Sequence, residues 1–231
     1  FLEEVDEGFL RRNQRMPGNI YKGEGVSSTD EYHYGLAGRF LLYSPYVWSK
    51  IGLDNSVDEE SRDDLLAISK IIAVPGIDAL IQFEQRFSED AVVRHIAFNY
   101  YTNEWHVSDG NNMKWYVDPI DGKFYPIIWD AYLGSNGSAF SKQPRPDRPL
   151  LNHAYYKLGG DPRLMHQVFQ FLYEKMNNLD DVEAHLDSLQ THVDINQGAF
   201  MVEEHHPIFS MKPNVIDDAR DILAANRTRI L

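Results

Sequence analysis

NNMKWYVDPIDGKFYPIIWD, running from Asn111 to Asp130, is the stretch whose reading decides the fold. Trp115-Tyr116-Val117 and Phe124-Tyr125-Pro126-Ile127-Ile128 are strand-like runs, and Pro119-Ile120-Asp121-Gly122 between them has the residue chemistry of a tight turn. If Asp118 pairs with Lys123, Asn112 falls opposite Trp129 and Asn111 opposite Asp130. Directly opposed residues in an antiparallel ladder lie about 4.5–5.5 Å apart at their α-carbons. The hairpin therefore delivers Asn112 (or Asn111) and Asp130 to one spot. One carboxylate and one amide oxygen suit Mg²⁺, a hard cation that keeps several waters and takes further ligands from phosphates. Polar residues also simply end strands, and the pairing by itself leaves both readings open.

Outward from the hairpin, the upstream segment reads as helices near Ile77 to Phe87 and Glu89 to Tyr101. The second places Val92, Val93, Ile96, Ala97 and Tyr100 at near-helical spacing, as a buried helix that leads into the loop Asn103 to Asn112. Asp58 to Ala73 reads as a helix with an acidic first turn, broken by Pro75-Gly76. At the start, Leu2 to Val5 is strand-like, Asp6 caps a short helix, Pro17-Gly18-Asn19 is a turn and Ile20-Tyr21-Lys22 a second strand. Residues 23–57 read as irregular and aromatic-rich. Downstream, residues 134–149 form a long loop, followed by helices near Pro162 to Met176, Asp180 to Val193 and Ile216 to Thr228. The expectation is an α+β chain: a small strand-rich N-terminal part, then a mainly helical part with one inserted β-hairpin.

The chain has 231 residues, 43% of them hydrophobic, which is enough for one large domain or two joined lobes. Its formal net charge is -13, which argues against a nucleic-acid or anionic-membrane binder and means that a nucleotide site needs a metal or local basic residues. No run approaches the roughly 18–20 apolar residues that span a bilayer, so no membrane insertion is expected. There is no cysteine, which removes thiolate nucleophiles, disulfides and cysteine-ligated zinc. The opening Phe1-Leu2-Glu3-Glu4-Val5 reads like the middle of a strand, so an upstream segment is expected.

Ile127-Ile128-Trp129-Asp130, preceded by Asp118-Pro119 and Gly122-Lys123-Phe124, resembles the signature of the CotH-type spore-coat protein kinases. Phe1 to Lys22 resembles that family's E-x-x-D-x-x-F-L-x-R-R followed by G-N-x-Y-K, and Asn99-Tyr100 closes a helix in the expected order. Leu150-Leu151-Asn152 and the helices after it fit more loosely. The resemblance implies a single atypical kinase-like domain over 1–231, with 1–57 as the remnant of an N-lobe and its connection and 58–231 as a mainly helical C-lobe. It implies ATP and Mg²⁺ (or Mn²⁺) as cofactors and phosphoryl transfer to Ser or Thr of a protein substrate. It also implies an extracellular, cell-surface or spore-coat setting. Lys22 matches the lysine that pairs with nucleotide phosphates, Asn112 the metal-binding asparagine, and Asp130 the aspartate that holds metal against the phosphates.

The chain departs from the family at the catalytic base. Kinase-like loops place an aspartate five residues before the metal-binding asparagine, and here that residue is Val107. A loop shortened by two residues makes Asp109 the base; the spacing from His106 to Asn111 makes His106 the base instead. If neither serves, the protein is a pseudokinase that acts as a binding or structural module. The second acidic residue expected after Trp-Asp is Tyr132, and the acid that pairs with the lysine has only Glu24 and Glu31 as substitutes. Other features have plainer readings: Glu203 to His206 as a solvated polar segment, His185 and His192 as helix-surface residues, and Lys142, Arg145 and Arg148 as an ordinary basic loop. Asn136-Gly137-Ser138 and Asn226-Arg227-Thr228 are glycosylation sequons, which matter only in a glycosylating host.

Overall fold

The structure, a computed structural model, describes residues 4–23, 48–51, 61–72, 76–102, 114–129, 158–201 and 215–230. Its hairpin forms as the turn chemistry dictates. The Asp118 amide donates to the Lys123 carbonyl at 3.0 Å and the Gly122 amide to the Asp118 carbonyl at 2.8 Å. The Asp118 and Asp121 carboxylates accept from the amides of Ile120 and Lys123. Gly122 sits at φ +66°, a backbone state that other residues adopt only at a cost. Strands β3 (Lys114–Val117) and β4 (Phe124–Ile127) then pair from Val117↔Phe124 to Lys114↔Ile127, the expected register.

The hairpin does not stand alone among helices. β3 also pairs antiparallel with β1 (Asn19–Gly23), and β1 pairs with β2 (Trp48–Ile51), giving a four-stranded sheet of order β2-β1-β3-β4. One sheet thus draws two strands from before residue 57 and two from after it. Within residues 23–57, Trp48–Ile51 is a strand that its composition did not announce. Glu4 and Val5 carry no strand; Val5 is instead a buried apolar contact.

Both faces of the sheet are covered. Tyr21, Trp48, Trp115, Val117 and Phe124 join one large core with α2 (Asp63–Ile72), α3 (Ile77–Glu84), α4 (Glu89–Thr102) and α5 (Pro162–Asn177). Ile20, Tyr116 and Ile127 pack on the other face with Val5 and with Leu10 of α1 (Glu7–Arg12). Each large side chain fully withdrawn from water contributes about 1.5–3 kcal/mol. Asp6 caps α1 by accepting from the Phe9 amide at 2.8 Å. The α3–α4 junction closes the outer edge of β4: the Phe124 amide donates to the Arg86 carbonyl and the Ser88 amide to the Phe124 carbonyl. This seats Phe87 edge-on against Trp115, with ring centroids 5.3 Å apart. α6 (Asp180–Met201) and α7 (Val215–Ile230) complete seven helices among the described residues, with Leu186, Ile216 and Leu223 packed beside Val182 and Tyr101.

Candidate functional site

Lys22 occupies the central strand, half-buried, directly opposite Ser49 on β2 and Lys114 on β3. Side chains alternate along a strand. Lys22 and Lys114 therefore share the face of Ile20 and Tyr116, at the end of the sheet where β4 runs out through Ile128 and Trp129. Among the described residues Lys22 forms no ion pair. Lys114 is 5% exposed, and its ammonium lies 3.4 Å from the centroid of the Trp129 ring.

The strand that carries Lys22 is fixed by a residue the sequence reading passed over. Asp64 Oδ2 accepts from Asn19 Nδ2 and from the Tyr21 hydroxyl, both at 3.0 Å. Burial, then the adjacent Asp64 carboxylate, pushes the Tyr21 phenol far above its ordinary value. Arg62 Nε donates to the Trp48 carbonyl, and Lys50 Nζ to the Ser61 carbonyl, so the start of α2 clamps both β1 and β2. Gly18 leads into β1 where a Cβ would meet the Val117 carbonyl at 2.5 Å and the Tyr116 ring at 2.8 Å. Only glycine lets the two backbones approach this closely. The sequence pattern starts this helix at Asp58, which puts Asp64 past its acidic first turn, and marks Gly18 as a turn residue; the helix begins instead at Asp63.

Asn112, Asn111, Asp130, Asp109, His106 and Val107 lie outside the described residues, as do Glu24, Glu31, Tyr132, Glu203 to His206, Asn136 and the basic loop. Of the predicted site residues the structure describes Lys22, together with the strands that lead into the others. Among the described residues no group of three or more His, Asp or Glu side chains could hold a metal. His185 is exposed on α6. Asn226 is 7% exposed on α7 and its amide nitrogen is buried, so that sequon offers no room for a glycan.

A second polar cluster was not foreseen. It lines a cavity of about 410 Å³ between α3, α4, α5 and the hairpin turn. Arg163 Nη2 lies 2.6 Å from Asp161 Oδ2 and 3.3 Å from Glu84 Oε2. The Arg163 hydrogen bonds hold the Asp161 carboxyl down at about 2. Burial, then the neighbouring Asp161, pushes Glu84 up to about 7. Glu84 Oε1 is buried and meets no hydrogen-bond geometry among the described residues. Asp161 also caps α5, accepting from the Arg163 amide at 2.8 Å. Lys123, Glu89 and Gln167 complete the polar rim, over a floor of Phe87, Val92, Leu158 and Leu164.

No family model matches the chain, and no curated protein matches it.

Proposed function

We propose that the chain is a CotH-like atypical kinase that transfers the γ-phosphoryl group of ATP, with Mg²⁺ or Mn²⁺, to a Ser or Thr hydroxyl of a protein. The observation that carries this reading is Lys22: an ammonium group on the central strand, without an ion-pair partner among the described residues, at the sheet end from which Trp129 leads to Asp130. Lys22 would neutralise phosphate charge, and Asn112 and Asp130 would hold the metal. Asp109 or His106 would orient the accepting hydroxyl and take its proton. Bound ATP and its metal supply the transferable group and the charge that stabilises it in flight. The four-stranded α+β framework with mainly helical surroundings is compatible with a bilobal kinase-like fold. The resemblance also favours an extracellular, cell-surface or spore-coat setting. No helix among the described residues is long and apolar enough to cross a membrane.

Val107, standing five residues before Asn112, favours a second reading: a pseudokinase that binds nucleotide without transferring phosphate. Thermal-shift titration with ATP plus Mg²⁺ or Mn²⁺, paired with phosphate transfer to a serine-rich protein, separates the two. A shift with transfer supports the kinase, and a shift without transfer supports the binding module. Neither shift nor transfer overturns both.

A further inference from the structure

The cavity between α3, α4, α5 and the hairpin turn has no part in phosphoryl transfer, yet its walls carry both signs of charge over an apolar floor. Glu84 from α3 and Asp161 from α5 share one guanidinium, that of Arg163, at 3.3 and 2.6 Å. Two carboxylates against one cation leave a negative charge over whenever both are ionised. Glu84 Oε1 is buried and accepts no hydrogen bond among the described residues. A buried acceptor without a donor is costly, and the terminal torsion of a glutamate is soft enough to turn that oxygen toward the cavity. Lys123 enters from the hairpin turn, which the hydrogen bonds of Phe124 hold against the α3–α4 junction. Lys123 is half-buried, and its ammonium makes no ion pair or hydrogen bond among the described residues. The floor consists of Phe87, Val92, Leu158 and Leu164, all buried. The volume, about 410 Å³, lies at the small end of the range for small-molecule pockets.

A simple anion would satisfy Lys123 and meet the surplus of carboxylate. A simple cation would satisfy the carboxylates and leave Lys123 unmatched. A molecule with one charge of each sign and an aliphatic body matches both walls and the floor. We propose that this cavity binds a zwitterionic aliphatic amino acid, its ammonium held by Glu84 and Asp161, its carboxylate by Lys123, and its carbon chain over the apolar floor. The assignment stands apart from the phosphoryl-transfer reading. It also carries a proton signature. The charged groups around the ligand are Glu84 from α3, Glu89 from α4, Asp161 and Arg163 from α5, and Lys123 from the turn. Burial, then Asp161, pushes Glu84 up to about 7. An arriving ammonium favours the ionised carboxylate, so below that value binding expels the Glu84 proton.

Calorimetric titration of the full chain tests this with leucine, whose charges are adjacent, and with ε-aminocaproate, whose charges are far apart. Isocaproate and isoamylamine are the single-charge analogues of the first, caproate and hexylamine those of the second. At least one zwitterion should bind, and both of its analogues should bind about tenfold more weakly or worse. At about pH 8, where Glu84 is ionised, Glu84→Gln should weaken the zwitterion and its amine analogue and spare the acid analogue. Lys123→Met should weaken the zwitterion and the acid analogue and spare the amine. Lys22→Met should match the wild type. At about pH 6 the heat of binding should vary with the ionisation heat of the buffer in the wild type and not in Glu84→Gln. If Glu84→Gln unfolds, Lys123→Met and the milder Lys123→Gln carry the comparison. A wild type that binds neither zwitterion overturns the assignment, as does an analogue that binds as well as its parent. Zwitterion binding unchanged in folded Lys123→Met or Glu84→Gln overturns it too. Each of these results leaves the nucleotide reading untouched.

Discussion

The Tyr21 hydroxyl and the Asp64 carboxylate meet at 3.0 Å, joining the strand that carries Lys22 to the first turn of α2. The same carboxylate oxygen accepts from Asn19. Removing it leaves two donors without their acceptor, each costing about 1–3 kcal/mol when buried. Asp64→Ala should therefore lower unfolding stability by about 2–4 kcal/mol in urea denaturation, and Tyr21→Phe by about 1 kcal/mol. If the two substitutions cost the same, the hydroxyl and not the carboxylate would be the anchor.

Gly18→Ala places a methyl group against the Val117 carbonyl and the Tyr116 ring. Backbone cannot swing aside as a side chain does, so the strand must shift. The expected loss is about 1–3 kcal/mol, in the range of other overpacking substitutions. A melting temperature equal to that of the wild type would show that β1 and β3 are less closely apposed than described.

Glu84 and Asp161 set opposite limits on stability. Folding raises Glu84 from an ordinary 4.5 to about 7, so the folded state holds a proton that the unfolded chain releases, and this contribution is lost as pH climbs from 4.5 through 7. Asp161 falls from 3.8 to about 2, and its contribution is lost as pH drops through that interval. Thermal melts across pH should place the best stability due to this cluster near pH 4–5. Glu84→Gln should flatten the limb between pH 5 and 7 and leave the acid limb in place. A wild-type melting temperature that rises from pH 5 to 7, with no change of slope in Glu84→Gln, would remove the carboxyl pair from the account.

The catalytic assignment is tested by rate. Asp130→Ala should abolish phosphate transfer by withdrawing a metal ligand. Whichever of Asp109→Asn and His106→Ala removes the base should lower kcat by about 10²–10⁴ while leaving nucleotide binding within a few-fold. Equal rates for both and the wild type would assign the hydroxyl's proton to neither.

What could be read in advance was local. Pro119 to Gly122 carries its own turn chemistry, so the β3–β4 register followed from a few adjacent residues. Asp6 sits beside the helix it caps, and the apolar spacing of α4 is visible within its own length. What stayed hidden depends on distant partners. Trp48-Ser49-Lys50-Ile51 becomes a strand because β1 is there to pair with it. The opposition of Lys22 and Lys114 rests on a β1–β3 register that no turn encodes. Arg163 reaches Glu84 from another helix, so that cluster had no signature along the chain. Of the candidate site, Lys22 fell on its expected strand, while Asn112, Asp130, Asp109 and His106 lie outside the described residues and keep the standing that the motif resemblance gives them.

The place of β1 in the middle of the sheet also governs how the chain can fold. Tyr21 has Lys50 on one side and Trp115 on the other. While the protein is being made, β1 and β2 can meet early, but a two-stranded piece is marginal in water, and the second edge of β1 has no mate until the hairpin emerges. Contacts so widely separated along a chain slow folding and leave an open strand edge exposed to other chains in the interval. A fragment that stops before the hairpin would carry Lys22 on an edge strand, stripped of Trp115 and Tyr116. The N-terminal segment is in this sense not a lobe that waits for its partner: the hairpin is what makes it a sheet.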